Sequence, residues 1–450
     1  VTISAVLLAA GKGTRMHSSL PKMLHPLGGK AMLLHSLNTL SPLTDDLPVV
    51  VVGHEADEIK AMIGERAQFV LQAEQLGTGH AVMQAEERLK GNSSLVLVAY
   101  GDMPLVRAES FQALIDLQQA NDGPLSMLSI VVDNPRGFGR VLRNAAGDVT
   151  AIVEEADCTA EQREIRELNV GVYCMDATWL WSALPRIELS AKGEYYLTDL
   201  VAIASGDGGR VQAIVLEDAR EAIGINNRVH LAEAEAILRE RINTRWMEAG
   251  VTIKDPSTTY IDAEASIGQD TLIEPNTHIS GTTSIGAHCT IGPNTFIHDS
   301  QIGDHCTLFA SMVEQARLED HVDIGPYAHL RKGAHLAAGV HMGNFGEVKN
   351  AYLGPGVKMG HFSYIGDATI HDNVNIGAGT ITANYDGVNK NHTEIGEDAF
   401  IGSDTMLVAP LKIGARARTG AGSVVTKDVP EDTVVVGIPA RAVRKLNKRE

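Results

Sequence analysis

This 450-residue chain is short of cysteine, of positive charge and of long apolar runs. Its four cysteines, Cys158, Cys174, Cys289 and Cys306, are scattered with no C-x-x-C pairing. That spacing argues against a disulfide framework or a zinc site and leaves structural thiols. Lys and Arg number 38 against 56 Asp and Glu, a formal charge of -18. Such a surface argues against sequence-independent binding to nucleic acid, so any phosphorylated ligand must meet locally placed cations. No apolar run approaches the roughly 20 residues that cross a bilayer, and the first strand enters a Gly-rich loop without a signal-type cleavage region. A soluble, cytoplasmic protein of two or three domains is expected.

What the sequence does contain is a six-residue rhythm. An aliphatic residue, often followed by Gly, recurs at Ile267, Ile273, Ile279, Ile285, Ile291 and Ile297. After a slip it returns at Leu318, Ile324, Leu330, Leu336 and Met342, and again at Ile395, Ile401, Leu407 and Ile413. Small or branched residues such as Thr271, Thr283, Cys289, Cys306 and Ser423 follow four positions later. Neither a helix nor a simple strand has this period; a parallel β-helix of hexapeptides does. Each hexapeptide supplies a short strand and a corner, and three make a triangular coil that stacks on the next.

The front half, Val1 to about Asn227, alternates short apolar runs with helical stretches. Ile3–Leu8, Val49–Val52, Leu95–Tyr100 and Ser126–Val132 read as buried strands, Gly79–Leu89 and Leu105–Gln119 as helices. The pattern is that of an α/β domain with a mainly parallel sheet, which binds ligands beyond the C-terminal ends of its strands. Two chemically loaded segments fall at such ends: L-A-A-G-K-G-T-R-M over Leu8–Met16, and Y-G-D over Tyr100–Asp102. Gly11 and Gly13 allow backbone N–H groups near phosphate oxygens, and Lys12, Arg15 and Lys22 offer cations. The loop lacks the G-K-[ST] ending of an NTPase loop and the G-x-G-x-x-G of a dinucleotide fold. Asn227–Ala249 reads as a linking helix that ends before Gly250.

G-x-G-T-R-M followed by L-P-K at Leu20–Lys22 resembles the sugar-nucleotide pyrophosphorylases. With Q-L-G-T-G-H-A at Gln75–Ala81, G-E-Y-Y-L-T-D at Gly193–Asp199, G-I-N-N-R at Gly224–Arg228 and N-I-G-A-G-T-I-T-A-N-Y-D-G at Asn375–Gly387, the whole chain resembles a bifunctional family. That family joins N-acetylglucosamine-1-phosphate uridyltransferase to glucosamine-1-phosphate N-acetyltransferase. The resemblance implies a Rossmann-like uridyltransferase domain over 1–228, a linker helix over 229–249, and a left-handed β-helix acetyltransferase over 250–450. It also implies UTP, N-acetylglucosamine-1-phosphate, glucosamine-1-phosphate and acetyl-CoA as substrates, Mg²⁺ as cofactor, and a homotrimer.

By the same resemblance Leu8, Ala9, Ala10 and Gly11, with Tyr100 and Gly101, line the nucleotide. Arg15 and Lys22 neutralise phosphate, Asp102 and Asn226 hold Mg²⁺, and Gln72, Gly77 and Thr78 read uracil. Gly139, Glu154, Asn169 and Thr198 hold the N-acetylated sugar. From the residues alone, Asp102 could instead satisfy local amides, Lys22 could be a solvated lysine, and Asn226 or Asn227 could cap the next helix. Nor does the sequence say which of Glu154 and Glu155 faces the sugar.

On the coil, function belongs to residues outside the inward repeat. His361, Arg331, Lys349 and Tyr364 should point outward, and the interruption Thr382–Glu394 should project as a loop. Histidine suits the task of deprotonating an attacking amine. The resemblance makes His361 that base, with Glu347 a candidate partner that orients it. Arg331, Lys349, Tyr364 and Asn375 resemble sugar-phosphate contacts, Ala378, Tyr385, Ser403 and Ala421 acetyl-CoA contacts, and Asn384 stands between the two groups. Where some members place a CoA-contacting arginine this chain has Ile438, so Arg441 is the candidate replacement. The basic tail with Arg444, Lys445, Lys448 and Arg449 is either a CoA-phosphate contact or a solvated terminus. Two other readings share the fold: a nucleotidyltransferase whose coil only trimerises or regulates it, and a non-catalytic sugar-nucleotide sensor. The N-Y-D-G loop and the outward His361 favour acetyl transfer over the first, and the phosphate and metal set argues against the second.

Overall fold

A computed structural model of the chain describes residues 1–53 and 56–445. They form two compact units, Val1–Leu238 and Arg239–Glu450. The first is built on nine strands: β1 (Ile3–Ala9), β2 (Val49–Val52), β3 (Gln68–Leu71), β4 (Leu95–Tyr100), β5 (Leu125–Val131), β6 (Arg140–Arg143), β7 (Val149–Val153), β8 (Glu167–Asp176) and β9 (Val211–Val215). The sheet runs β9-β5-β8-β4-β1-β2-β3, with the β6–β7 hairpin attached to β8. Neighbours are parallel except that β8 lies antiparallel to β4 and β5. Val49–Val52 are all buried because residues pack on both faces of the sheet, which is why these strands read as unbroken apolar runs.

Two helices differ from expectation. The stretch over 79–89 is two helices, Thr78–Met83 and Glu86–Leu89, because Gln84 and Ala85 turn more tightly and bond back to Ala81 and Val82. The later helix starts at Ala108, since Leu105 and Val106 are buried in the preceding loop.

The pairing of β8 with β5 slips between Asn169 and Tyr173. Gly171 sits in that irregularity with φ +85, and a Cβ there would come within 2.5 Å of the Tyr100 ring. Only glycine lets the bulge close over the end of β4, and the bulge aims Asn169 into the cleft above the sheet.

The second unit is a parallel coil. Its strands stack in register on three faces, for example Ile273 on Ile291, Ile279 on Ile297 and Ile267 on Ile285. The slip in the repeat is not a gap: Ile302, Leu308 and Val313 carry the buried column from Ile297 on to Leu318, with three of the four steps shortened from six residues to five. Shortened corners absorb the missing residues while pairing continues through Ile302 to Leu318 and Val313 to Leu330. Interior hydroxyls bond to carbonyls, Thr283 to Ser280 at 2.7 Å and Thr271 to Gly286 at 2.8 Å, which offsets the cost of burying them. Cys289 and Cys306 occupy this position as free, buried thiols. Outside, like side chains form ladders: Tyr260, His278 and Phe296 stack at 4.5 and 4.6 Å, and His288, His305 and His321 at 4.9 and 4.8 Å. The interruption emerges as a loop between strands Ile381–Ala383 and Thr393–Ile395.

The helix expected as a linker spans Arg228–Glu248. Its first half packs Leu231, Ala234, Ile237 and Leu238 on Leu27, Met32, Leu105 and Ile225 of the front unit, and Glu235 accepts a hydrogen bond from the Gly28 amide at 2.8 Å. A fragment cut at 228 would expose that apolar patch, whereas one cut after Leu238 would keep it covered. The expected outcome is a lower melting temperature for residues 1–228 than for residues 1–238, measured by circular dichroism. Equal melting would mean that the helix adds nothing to the front unit.

Candidate active sites

Three distant parts of the chain meet at the C-terminal edge of the front sheet. Lys22 opens a short helical turn, Lys22–Leu24, and is almost fully buried. Its ammonium forms an ion pair with Asp102, just past β4, and lies 3.2 Å from the Asn226 amide oxygen. Arg15 donates to the same Asn226 oxygen at 3.1 Å. The Ile225 amide bonds to the Asp102 carbonyl at 2.9 Å, which fastens the 224–227 turn to the end of β4. Asn227 accepts from the His230 amide at 2.9 Å and so caps the long helix, leaving Asn226 for the site. Asp102 is thus engaged with a cation and Lys22 is not a solvated lysine.

Two clefts meet over this triad. One, of 310 Å³, is lined among others by Leu8, Ala10, Gly11, Lys22, Gln72 and Gly77; the other, of 280 Å³, by Gly139, Glu154, Asn169, Gly171, Thr198 and Asn226. They share Thr78, Tyr100, Asp102 and Glu194. Gln72 donates to the Gly77 carbonyl at 3.0 Å, and the Thr78 hydroxyl accepts from the Leu197 amide at 3.0 Å, which ties the 72–78 wall to the 195–198 wall. Ala9 and Gly101 are buried and line neither cleft. Gln75, which donates to the Ala10 carbonyl at 2.5 Å, and Glu194 and Tyr196 were not singled out by sequence, although each stands inside a quoted motif.

Of the two adjacent glutamates, Glu154 faces the second cleft and accepts from the Thr198 hydroxyl at 3.0 Å, while Glu155 turns to Arg140. Burial pushes the Glu154 carboxyl above its ordinary range, and the Thr198 hydrogen bond offsets only part of that.

On the coil, Arg331 and Lys349 occupy neighbouring rungs. The charges of Lys390 and Arg331 hold the Lys349 ammonium below its ordinary range, so three cations gather on one face. Lys390, from the loop, was missed by sequence. Burial would raise Asp367, but hydrogen bonds from Asn350 and Asn384 and the charges of Lys390 and Lys349 outweigh it and hold the carboxyl low. His361 is exposed and makes no hydrogen bond or ion pair among the described residues. Glu347, expected to orient His361, instead binds Arg331 at 2.8 Å. Stacking puts Glu347 beside Tyr364 on the next rung, while His361 lies at the corner before that strand.

Ala378, Ser403 and Ala421 form a column at one corner, joined by backbone bonds from Asp404 to Ala378 and Gly422 to Ser403. Tyr385 is exposed on the loop, where it pairs with Lys390, and Asn375 stacks between Lys358 and Phe400. Arg441 and Ile438 are exposed on a terminal hairpin in which Arg441 pairs with Val436. Lys448 and Arg449 lie outside the described residues.

Among the described residues, no group of three or more His, Cys, Asp or Glu gathers to hold a metal, and no helix is long and apolar enough to cross a membrane. Asp102 and Asn226 nevertheless aim two hard oxygen donors at one cation, the Lys22 ammonium. That donor set suits Mg²⁺, which commonly takes one or two protein oxygens and completes its shell with water and phosphate.

Residues 5–166 match the MobA-like NTP transferase domain family, and residues 264–299 and 392–427 match the bacterial transferase hexapeptide family. The chain is 48% identical to the bifunctional protein GlmU of Heliobacterium modesticaldum, over 96% of this chain and 95% of that protein. It is 47% identical to the protein of the same name from Lactococcus lactis subsp. lactis, over 99% and 97%, and 45% identical to that of Streptococcus agalactiae, over 96% and 95%.

A carboxylate whose pKa is raised by folding costs stability above that pKa, and the cost fades as pH falls through it. Glu154→Gln is therefore expected to raise the melting temperature of the front unit at pH 8. The gain should shrink as pH falls toward the ordinary carboxylate range, as read by calorimetry across pH. A gain that does not change with pH would show that burial of charge at Glu154 is not its source.

Proposed function

The chain belongs to the bifunctional GlmU family, and from that membership we propose which residues carry its two reactions. It is an enzyme that joins a nucleotidyltransferase to a hexapeptide acetyltransferase on a left-handed β-helix, and it makes UDP-N-acetylglucosamine. Nucleotide and acyl-CoA chemistry therefore belong to it. The geometry above supports the uridyl-transfer assignments, and the observation that carries them is the convergence of Lys22, Asp102 and Asn226 where two clefts meet.

In uridyl transfer, the phosphate oxygen of N-acetylglucosamine-1-phosphate attacks the α-phosphorus of UTP and pyrophosphate leaves. Two anions must approach, so charge neutralisation is the main task. Leu8–Gly11, Gln72, Gly77 and Thr78 hold the nucleotide in the first cleft. Gly139, Glu154, Asn169 and Thr198 hold the acetylated sugar in the second. Arg15 and Lys22 sit at the junction and offset phosphate charge. Asp102 and Asn226 would hold Mg²⁺, which when bound draws negative charge from the phosphate oxygens. Lys22 then has a second task, since its ammonium keeps both donor oxygens turned inward.

In acetyl transfer, the amine of glucosamine-1-phosphate attacks the acetyl-CoA thioester carbon, His361 takes the amine proton, and CoA leaves as its thiol. Arg331, Lys349 and Lys390 form the cationic seat for the sugar phosphate, with Tyr364, Asn375 and Asn384 around it. Glu347 balances Arg331 and does not orient the base. Ala378, Ser403 and Ala421 offer acetyl-CoA a corner without bulk, Tyr385 flanks it, and Arg441 is the candidate for its phosphorylated end. A homotrimer would let a neighbouring coil complete this open face, and light scattering coupled to gel filtration tests that. A cytoplasmic location fits the substrates.

Asp102→Ala is expected to abolish pyrophosphate release from UTP and N-acetylglucosamine-1-phosphate while sparing CoA release, both read on one preparation. Uridyl transfer near the wild-type rate would remove Asp102 from the mechanism. His361→Ala should slow acetyl transfer by roughly 10² to 10⁴, the scale of a lost general base, and leave pyrophosphate release unchanged. If both activities fall together with loss of folded protein, His361 is structural.

A further inference from the structure

Arg140 has the largest fully buried side chain among the described residues, 1% exposed, yet it lines neither cleft. Its Nη1 makes two hydrogen bonds, to the Phe138 carbonyl at 2.6 Å and to the Glu155 carboxylate at 2.5 Å. Both partners adjoin the second cleft. Phe138 and Gly139 form one wall of it, and Glu154, the residue before Glu155, forms another. Arg140 itself lies on β6, paired with Val153 of β7 and with Leu168 of β8, next to Asn169. The Asn169 amide bonds to the Gly139 carbonyl at 2.9 Å. Gly139 packs so closely on β7 that a Cβ would come within 2.8 Å of the Ile152 side chain. The guanidinium therefore joins the two ends of the β6–β7 hairpin, next to Gly139 and Glu154, and backbone pairing ties that hairpin to β8 and Asn169.

We propose that the Arg140–Glu155 pair positions the sugar subsite of the uridyltransferase by deciding which of two adjacent carboxylates enters it. A buried guanidinium needs a carboxylate partner, because breaking such a pair leaves an uncompensated charge. Two are within a residue of each other, Glu154 and Glu155. Glu155 pairs with the Arg140 Nη1, so Glu154 stays with the Thr198 hydroxyl and faces the cleft. Remove the Glu155 carboxylate, and Arg140 draws Glu154 out of the cleft or loosens its hold on the Phe138 carbonyl. Either change degrades the seat of the N-acetylated sugar phosphate and leaves the nucleotide cleft untouched. Arg140 and Glu155 are positioning residues, since neither reaches the cleft.

The inference rests on the sugar assignment proposed above, and binding separates the two. Dissociation constants for N-acetylglucosamine-1-phosphate and for UTP would be measured by titration calorimetry on the full chain, for wild type, Glu155→Ala, Glu155→Gln and Arg140→Lys, alongside turnover. Glu155→Ala should weaken sugar-phosphate binding on the order of 10-fold, the scale of a misplaced contact, with UTP affinity within about twofold of wild type. Glu155→Gln, whose amide oxygen still accepts from Arg140, should recover most of the loss. Native UTP affinity shows that the front unit is folded, so a poorly folding Arg140→Lys does not decide the matter alone. Unchanged sugar affinity in Glu155→Ala, or equal weakening of both ligands, overturns the positioning role. A wild-type protein that binds the sugar phosphate without transferring UMP to it overturns the proposed activity instead.

Discussion

A single buried ammonium organises the front unit. Lys22 lies in low-dielectric surroundings where an unpaired charge is costly, so its position is fixed by whatever oxygens reach it. Asp102 from the end of β4 and Asn226 from the entry to the long helix both do so. Those contacts join the Gly-rich loop region, the central sheet and the helix at the point where the two clefts open into each other. An acidic protein that must bring two phosphates together cannot rely on its overall field, which repels them. It needs a few cations placed at short range, and Lys22 and Arg15 lie together at the junction of the clefts.

The coil works by a different constraint, the spacing of stacked strands. Every interior position repeats one rung above and below, so the aliphatic column is continuous even where the count of residues per coil changes. Chemistry is confined to the outside and to the one long interruption. The cationic group Arg331, Lys349 and Lys390 arises because two neighbouring rungs and the loop deliver one positive charge each to the same face. Like charges so close are unfavourable to one another, and an anionic ligand relieves them.

Much of this was legible in the sequence, for reasons that differ by element. Val49–Val52 and Leu95–Tyr100 kept their bounds because a strand covered on both faces has no other pattern to show. The coil was legible because its period is neither 2 nor 3.6. The five-residue steps through Ile302 and Val313 break a six-residue rhythm and so were not legible in it, although both positions hold the same residue types. Asp102 and Asn226 were found through motifs. What lay beyond the sequence was orientation: that Glu154 faces in and Glu155 out, that Asn227 caps the long helix while Asn226 faces Lys22, and that Glu347 pairs with Arg331. Each is settled by a partner far away in the chain, or by which neighbour competes for a shared donor. Lys390 was invisible for a related reason, since nothing in its local context says where a projecting loop will land.

The outer ladders have a consequence for how this coil can change over generations. Tyr260, His278 and Phe296, like His288, His305 and His321, touch only through the repeat, each ring resting on the ring of the adjacent rung. A surface residue on most proteins is free to vary on its own. Here a replacement alters the environment of the rungs on either side, so substitutions in one column are coupled and their effects do not add. Drift in the coil should therefore proceed by columns, with neighbours about one turn apart in sequence exchanging together, while adjacent residues in sequence vary independently.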